Sequence, residues 1–454
     1  MLRILSIICA VALTSCGLYS KFDNTVDSKV VDDLFDYTAV ERDTTSIASL
    51  EWRALFTDPK LQLLIARGLD NNTDLRLAHL NVEQAEVVLR VARLNYAPTL
   101  DLEADSSVSK QGSTKTSDYS ITAEASWEID IFGKVRNAKE QSKAALEQSR
   151  AYQQAVQTSL ISTIANSYYS LLLLDEQLSI SRQTLVNWDE NIRAMEALKR
   201  AGRLNTTSVL QSQASRVALA REIVTYEQQI AAVENALSVL LCESPQHIDR
   251  GGFAEAEFPE TLSIGVPLQM VANRPDVRVA EYALAQAFYA TGEARSSLYP
   301  SFTLEGSLGF VSGGTTITTP ADLLMSVVGS IVQPIFNRGT LRGQLKVSKM
   351  QQEQALLNFN QAILDAGAEV NTALISWQSA RDRLAYDVEQ MDLLERALLS
   401  AELLMRHGNS NYLEVLAAQL SLLQSQINYA SNRFAEIQGV IDLYRSLGGG
   451  SEPQ

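Results

Sequence analysis

The sequence predicts a mostly α-helical fold with a small β part and an internal tandem repeat. Three observations lead to this prediction. Two very long stretches, Lys134 to Lys199 and Leu341 to Arg406, contain no proline and almost no glycine and are rich in helix-forming residues. A few short segments alternate apolar and polar residues, as half-buried strands do. Equivalent residues also recur at a fixed separation along the chain.

The repeat becomes visible when the chain is aligned with itself at an offset of 202 positions. Identical pairs at this offset include Asn71 and Asn273, Asp74 and Asp276, Gln84 and Gln286, Pro98 and Pro300, and Glu103 and Glu305. Further on the offset is 206, which pairs Gly202 with Gly408 and Gln213 with Gln419. We therefore predict a first repeat over 58-250 and a second over 251-454, each with a helix, a β-hairpin, a very long helix and another helix.

The first helix of the first repeat should begin at Asp58-Pro59, which supplies an N-cap and a first-turn proline, and should run to about Tyr96. The hairpins are predicted over 99-132 and 301-336. Each long helix would reach ~100 Å, too long for one small core. A stripe of large side chains at helical spacing predicts close contact with neighbouring helices: Leu160, Ile164, Tyr168, Leu171 and Leu172. A solvent-exposed coiled-coil stalk is the alternative.

The most regular strand is Tyr119 to Gly133, YSITAEASWEIDIFG. Ile121 and Trp127 belong to its apolar face, whereas Glu124 and Glu128 belong to its polar face. The chain offers about four such strands, each near the ~9 to 11 residues that cross a bilayer at a tilt. Membrane strands must close into a barrel, and the smallest barrels use about eight strands. We therefore expect several chains to share one barrel.

The chain begins with features of a bacterial lipoprotein signal. Residues 1-15 combine a basic start with an apolar segment, and Leu13-Thr14-Ser15-Cys16 resembles a lipobox. Cys16 would then carry lipid such as palmitate, and residues 16-57 would form a lipidated N-terminal linker. Gly17 after the cysteine favours the outer membrane, by resemblance to sorted bacterial lipoproteins. The alternative is an ordinary secretory signal with a chance cysteine.

Composition argues against several functional classes. The 38 basic and 53 acidic residues give a net charge of −15, which disfavours a nucleic-acid partner. The three histidines are isolated, so no metal site or cofactor is predicted. Motifs such as His-Glu-x-x-His, Gly-x-Ser-x-Gly and a Walker loop are missing, so we do not expect an enzyme. Cys242 would be the one thiol left after signal removal and lipidation, which rules out an internal disulfide.

Five motifs together resemble the TolC-type outer-membrane efflux factors, in the lipoprotein branch that serves RND pumps. They are WRALFTDPKLQLLIARGLDNNTDLRLA from Trp52, WEIDIFGKVRNA from Trp127, NRPDVRVAE from Asn273, PIFNRGTLR from Pro334, and the final LYRSLGGG. The resemblance implies a homotrimer in which four strands per chain build a 12-stranded transmembrane β-barrel. A long periplasmic α-helical barrel would continue it.

The resemblance also implies a function. The chain would be the passive exit duct of a tripartite efflux system, receiving substrates from an inner-membrane RND transporter through a periplasmic adaptor protein. Two alternatives stay open. One is the outer-membrane duct of a type I secretion system, and the other is a lipid-anchored coiled-coil structural lipoprotein.

If the apolar strand faces meet lipid, the polar faces turn a set of carboxylates toward the barrel interior. These are Asp101, Glu103, Asp105, Glu124, Glu128, Asp130 and Glu305. An acidic lumen would raise the local concentration of cationic solutes. The alternative is that these residues only form the wet face that every such barrel needs.

Two further sites follow from the resemblance. The segment NYLEVLAAQ, Asn411 to Gln419, matches the periplasmic constriction, where Leu413 keeps the apolar position, Ala417 replaces the usual aspartate, and Glu414 offers a charge instead. These side chains could equally pack between helices. The turns that would dock the adaptor contain Arg200, Gly202, Arg203, Arg406 and Gly408, although their basic residues also suit helix C-termini. Cys242, where the family often has glycine, is expected to be a buried, inert thiol between the halves.

Overall fold

The computed structural model describes residues 20–23, 51–253, 274–314, 322–406 and 412–449. Its helices are α1 (Trp52–Leu55), α2 (Pro59–Asn71), α3 (Thr73–Leu94), α4 (Lys134–Arg200), α5 (Thr206–Leu240), α6 (Pro275–Ser296), α7 (Thr340–Arg406) and α8 (Tyr412–Ser446). Its strands are β1 (Thr99–Gln111), β2 (Thr114–Ile129), β3 (Ser301–Gly314) and β4 (Asp322–Val332). The predicted mostly helical class with a small β part is confirmed.

The chain divides into two compact units. The strand unit contains 79–152 and 276–362, and the helical unit contains 153–275 and 363–454, with N-terminal segments belonging to each. The predicted signal peptide, 1-15, and most of the linker, 16-57, lie outside the described residues. The repeat boundaries at 58-250 and 251-454 stay predictions.

The first helix differs from the prediction, because it is broken at Asn72 into α2 and α3. Asp58 caps α2 as predicted, accepting a hydrogen bond from the Lys60 amide at 2.8 Å. Asn72 is buried and has an extended backbone. Its Oδ1 accepts from the Leu75 amide at 3.0 Å, so it caps the second helix. A side chain able to cap a new helix start competes with helix continuation here.

The two long helices are confirmed almost to the residue, each with 67 residues. The predicted stripe on α4 lies in the main core of the helical unit, where Ile164, Tyr168 and Leu171 are fully buried. The same core receives Ile441, Leu443 and other residues of α8. Burial of this stripe stabilises the long helix more than intrinsic propensity does, since propensity alone is weak.

The four strands form one antiparallel sheet in the order β1-β2-β3-β4. Residues that are directly opposite share a face, so the register defines two faces. Leu102 lies opposite Ala123, which lies opposite Leu308 on the apolar face. β1 and β4 form the two edges of the sheet, and neither has a second strand partner within the described chain.

Three helices end in the same left-handed turn. Gly202 follows α4 with φ +73°, Cys242 follows α5 with φ +56°, and Gly448 follows α8 with φ +79°. In each turn the next residue donates its amide to a carbonyl five residues back, as Glu243 does to Ser238 at 2.9 Å. This is the Schellman arrangement, which favours glycine at the left-handed position. The backbone conformation at position 242 therefore suits glycine better than cysteine.

Equivalent positions of the two repeats hold the ends of their helices with different side chains. Asn72 Nδ2 donates to the Leu240 carbonyl at 3.0 Å, and Arg274 Nη1 donates to the Ser446 carbonyl. Asn72 and Arg274 are 202 positions apart, and Leu240 and Ser446 are 206 positions apart, matching the two offsets of the repeat. The duplication has kept the contact while changing the residue that makes it.

No helix within the described parts of the chain has both the length and the apolar character needed to cross a membrane.

Candidate functional site

The acidic face of the sheet has the geometry that the alternation predicts. Asp101 lies opposite Glu124, and Glu124 lies opposite Ser307, so three strands contribute to this face. Glu305 joins it on β3, opposite Ser126. Glu103 and Asp105 continue the row along β1. Asp118, opposite Ser107, lies on the same face, and within the described strands no lysine or arginine shares it. The face therefore has strong negative potential.

Glu128 and Asp130 lie at the end of the sheet and contact the long helix that follows. Glu128 forms an ion pair with Lys134 at 2.9 Å. Asp130 lies just beyond the last residue of β2, and its two carboxylate oxygens accept from the amides of Val135 and Arg136 at 3.2 and 2.8 Å. A carboxylate at this position satisfies first-turn amides and interacts favourably with the helix dipole. Asp130 therefore joins the strand to α4.

The opposite face of the sheet is apolar and exposed in the single chain. Leu100 and Leu102 are 77% and 78% exposed, and Met325 is 75% exposed. Ile121, Leu308 and Phe310 belong to the same face. An exposed apolar surface of this extent needs a lipid or protein environment.

The start of α8 separates the predicted constriction residues from a buried set. Tyr412, Val415 and Leu416 are buried against Met195 and Val209 from α4 and α5. Leu413, Glu414 and Ala417 lie on the exposed side of the same helix, and Leu413 is 43% exposed. Because the buried side faces α4 and α5, the side with Leu413 is the one available to line an opening.

Tyr412 is a functional candidate that the sequence did not single out. The Ser212 hydroxyl donates to the Tyr412 hydroxyl oxygen at 3.0 Å, which ties the start of α8 to α5. Burial raises the pKa of Tyr412 above its usual value, so the phenol stays neutral. The offsets of the repeat do not predict this bond. The bond depends on how α5 and α8, which are far apart in sequence, pack against each other.

The predicted docking turns are partly described. Arg200 is the last residue of α4, Gly202 occupies the left-handed turn, and Arg203 follows it. Arg406 is the last residue of α7, and Gly408 lies outside the described residues. Asn205 caps α5 by accepting from the Ser208 amide at 2.8 Å. The glycine and the cap together fix a short, sharp turn.

The two predicted cysteine sites differ in what the structure describes of them. Cys16 lies outside the described residues. Cys242 is exposed rather than buried, so the expectation of a buried thiol was wrong. Its left-handed position at the helix end points the side chain outward, where Sγ lies 3.2 Å from Thr73 Oγ1. Within the described ranges no group of three or more His, Cys, Asp or Glu side chains is placed to hold a metal ion.

An open sheet with one apolar and one acidic face, joined to helices of 67 residues, fits the class of outer-membrane channel proteins that the resemblance implies. The family model described as outer membrane efflux protein matches residues 64–243 and 266–449. The chain belongs to this family, and its role is that of an outer-membrane efflux channel. The predicted resemblance and the outer-membrane location are confirmed.

Individual relatives agree over nearly the whole chain. The probable outer membrane lipoprotein SilC of Salmonella typhimurium is 32% identical over 410 residues, covering 88% of each protein. The cation efflux system protein CusC of Escherichia coli (strain K12) is 28% identical over 457 residues, covering 99% of each. Both relatives therefore match this chain over most of their own length.

Solved structures show the same fold. The outer-membrane channel OprN superposes with a TM-score of 0.86 at 27% identity, covering 95% of this chain and 98% of that one. The open state of the MtrE outer membrane channel of Neisseria gonorrhoeae gives a TM-score of 0.81 at 27% identity, with coverage of 95% and 98%. The predicted TolC-like fold is thereby confirmed.

Proposed function

We propose that the chain works as a homotrimeric, passive exit duct that joins a periplasmic adaptor protein and an inner-membrane RND transporter. The observation that supports this best is the open sheet, whose edge strands β1 and β4 have no further partner within the described chain. In lipid each unpaired backbone group costs several kcal/mol, so an open edge is not tolerated. Further copies of the chain supply the missing strands, and the family resemblance sets their number at three.

The acidic face lines the lumen in this assembly, because the apolar face is the one suited to lipid. Asp101, Glu103, Asp105, Glu124 and Glu305 then attract cations to the duct, and the attraction weakens as salt increases. Glu128 and Asp130 act at the base of the barrel, where they are already engaged by Lys134 and by the start of α4. Their contribution to the lumen is therefore the smaller one.

The constriction lies at the start of α8. Leu413 narrows the opening with an apolar side chain, and Glu414 adds a charge beside it, while Ala417 one turn further leaves the site without the family's aspartate. Apolar constrictions close pores by excluding water. The buried set around Tyr412 holds this helix start in place.

Two attachments complete the assembly. The turns at Arg200, Gly202 and Arg203 and at Arg406 and Gly408 dock the adaptor. Cys16 carries the lipid that anchors the chain to the periplasmic leaflet of the outer membrane. Phe22, six residues later, packs on Phe288 of α6 at 5.6 Å between ring centroids, so this described part of the N-terminal segment contacts the strand unit.

Substrate choice belongs to the attached transporter and adaptor. The relatives include a cation efflux system protein, a pyoverdine export protein and a solvent efflux pump protein, so similarity to them does not define one substrate class. Copurification after crosslinking in cells identifies the pump that this duct serves.

Conductance across a planar bilayer tests the proposal. The purified protein should form a cation-preferring channel, whereas a structural lipoprotein would give no current.

Leu413→Thr with Glu414→Ser introduces the residues of the first repeat, Thr207 and Ser208, and should raise conductance several-fold. Glu124→Gln with Glu305→Gln should reduce cation preference, and Glu83→Gln on α3 is the matched control. Unchanged conductance in the variant Leu413→Thr with Glu414→Ser would show that these two residues do not form the constriction.

A further inference from the structure

The same dipeptide differs in solvent exposure between the two repeats. Both hairpins are followed by Ile-Phe, as Ile131-Phe132 after β2 and as Ile335-Phe336 after β4. Phe132 is 9% exposed, whereas Ile335 and Phe336 are 96% and 86% exposed. Two large apolar side chains left in solvent at a repeated position indicate a contact that the single chain does not complete.

The first repeat shows what such a dipeptide binds. Phe132 stacks on Tyr299 with ring centroids 5.0 Å apart and lies 6.3 Å from the ring of Phe302. The Ser296 hydroxyl donates to the Phe132 carbonyl at 2.8 Å. These partners lie at the junction between the end of α6 and the start of β3. The end of one hairpin is therefore seated on the beginning of the next.

The equivalent surface exists at the beginning of the first repeat, and it is exposed. At the offset of 202, Tyr299 corresponds to Ala97, Phe302 to Leu100 and Ser296 to Leu94. Leu94 is 63% exposed, Tyr96 is 40% exposed and Leu100 is 77% exposed. The acceptors of one backbone contact also match at this offset: Trp127 donates to the Tyr96 carbonyl at 2.9 Å, and Gln333 donates to the Leu298 carbonyl at 3.1 Å. The two donors are not equivalent residues, but each lies near the end of its hairpin.

One chain cannot bring these two surfaces together. Leu100 belongs to β1 and Ile335-Phe336 follows β4, which are the opposite edges of the sheet. Three strand spacings of ~4.8 Å separate the edges by roughly 14 Å. The occupant of each surface must therefore come from another copy.

We propose that Ile335-Phe336 of one copy binds the Leu94, Tyr96, Ala97 and Leu100 surface of the next copy. The contact is head-to-tail, so it repeats around a ring and closes when the last copy reaches the first. Ala97 replaces Tyr299 in this surface, which leaves room for the side chain of Phe336. This inference rests on the proposed trimer and identifies the side chains that join its members just below the strands.

Cysteine crosslinking tests the contact, in a Cys242→Gly background that removes the exposed thiol. The double variant Phe336→Cys with Ala97→Cys, treated with a short bismaleimide in membranes, should give a ladder of covalent dimers and trimers. Either substitution alone should give single chains, and coexpression of the two single variants should give dimers of mixed type. The matched control pairs Phe336→Cys with Val108→Cys. Val108 lies eight residues further along β1 than Leu100 of the proposed surface, about 26 Å from it, so this pair should not crosslink.

The outcomes separate this contact from the trimer itself. If the double variant remains a trimer by native mass spectrometry but gives no ladder, the proposed contact is overturned and the trimer stands. If Phe336→Cys alone crosslinks to itself, the contact is two-fold rather than head-to-tail, and the proposal is also overturned. If the parent protein is found as single folded copies, the trimer fails first. Phe336→Ala should lower the temperature at which the oligomer dissociates, and Phe336→Leu should restore most of it.

Discussion

The two repeats of this chain have the same order of elements, but they solve equivalent structural problems with different residues. The first repeat caps α4 with Asp130 and keeps Phe132 buried, whereas the second leaves Phe336 exposed at the equivalent junction. The first repeat ends in a strained Cys242, and the second ends in Gly448. The difference indicates that side chains have diverged between the repeats. Some contacts are kept by a different residue, as with Asn72 and Arg274, and others, such as that of Phe132, have no equivalent within the described chain.

The largest expected effect comes from the residue that ties the second repeat together. Arg274 is buried, donates to the Ser446 carbonyl and pairs with Glu369 at 2.7 Å. Arg274→Ala should lower the free energy of unfolding by about 2–4 kcal/mol, because it removes a charged donor from a buried carbonyl. Glu369 loses one of its two arginine partners and keeps Arg445 at 2.6 Å. The counterpart variant Asn72→Ala should lower the free energy of unfolding by about 1–3 kcal/mol, because only neutral hydrogen bonds are lost.

Urea unfolding of the detergent-solubilised protein, followed by far-UV circular dichroism, measures both losses. Arg396→Ala is the control, because its exposed pair with Asp392 should contribute less than about 1 kcal/mol. Equal effects of Arg274→Ala and Arg396→Ala would contradict the structural role of Arg274.

A smaller effect of opposite sign is expected where the repeats differ in backbone strain. Cys242 has φ +56°, a left-handed conformation that a side chain disfavours by about 1–2 kcal/mol. Cys242→Gly should therefore raise the free energy of unfolding by about 1 kcal/mol, after the entropy cost of glycine. Gly448→Ala should lower it by a similar amount. Thermal unfolding of both variants checks the pair, and a destabilising Cys242→Gly would show that the thiol contributes more than its backbone costs.

The smallest effect is a pH dependence that arises from one ion pair of the first repeat, Arg67 with Glu243. The Arg67 guanidinium beside Glu243 holds the pKa of that carboxyl below its usual value of 4.5. A lowered pKa contributes stability that is present above the ordinary value and is lost as the pH falls through the value in the folded protein. Glu243→Gln should therefore lower the melting temperature slightly at pH 7, and the difference should vanish in acid. A difference that persists below the folded pKa would assign the effect to shape rather than charge.

The sequence predicted the features that depend on local pattern. The long helices were predictable because proline is missing from two uninterrupted stretches, and the register of faces followed from alternation in β2. The break at Asn72 was not predictable, because asparagine is compatible with a helix. The hydrogen bond from its side chain to the Leu240 carbonyl depends on how distant helices pack. Asp130 was grouped with the strand acids by periodicity alone, although its carboxylate binds the start of α4.

The candidate constriction shows the same limit. Leu413 was found through a motif, and the structure adds that its side of α8 is exposed. Tyr412, one residue earlier, could not be assigned from spacing, since its partner Ser212 is 200 positions away. Contacts between distant helices require the fold before they can be recognised.

The central claim is that one chain supplies only part of a closed wall. Native mass spectrometry of the protein released from mild detergent tests it most directly, because it counts copies without relying on activity. The account predicts a single dominant species containing three copies. Stable, fully folded single copies that still conduct in a planar bilayer would contradict it.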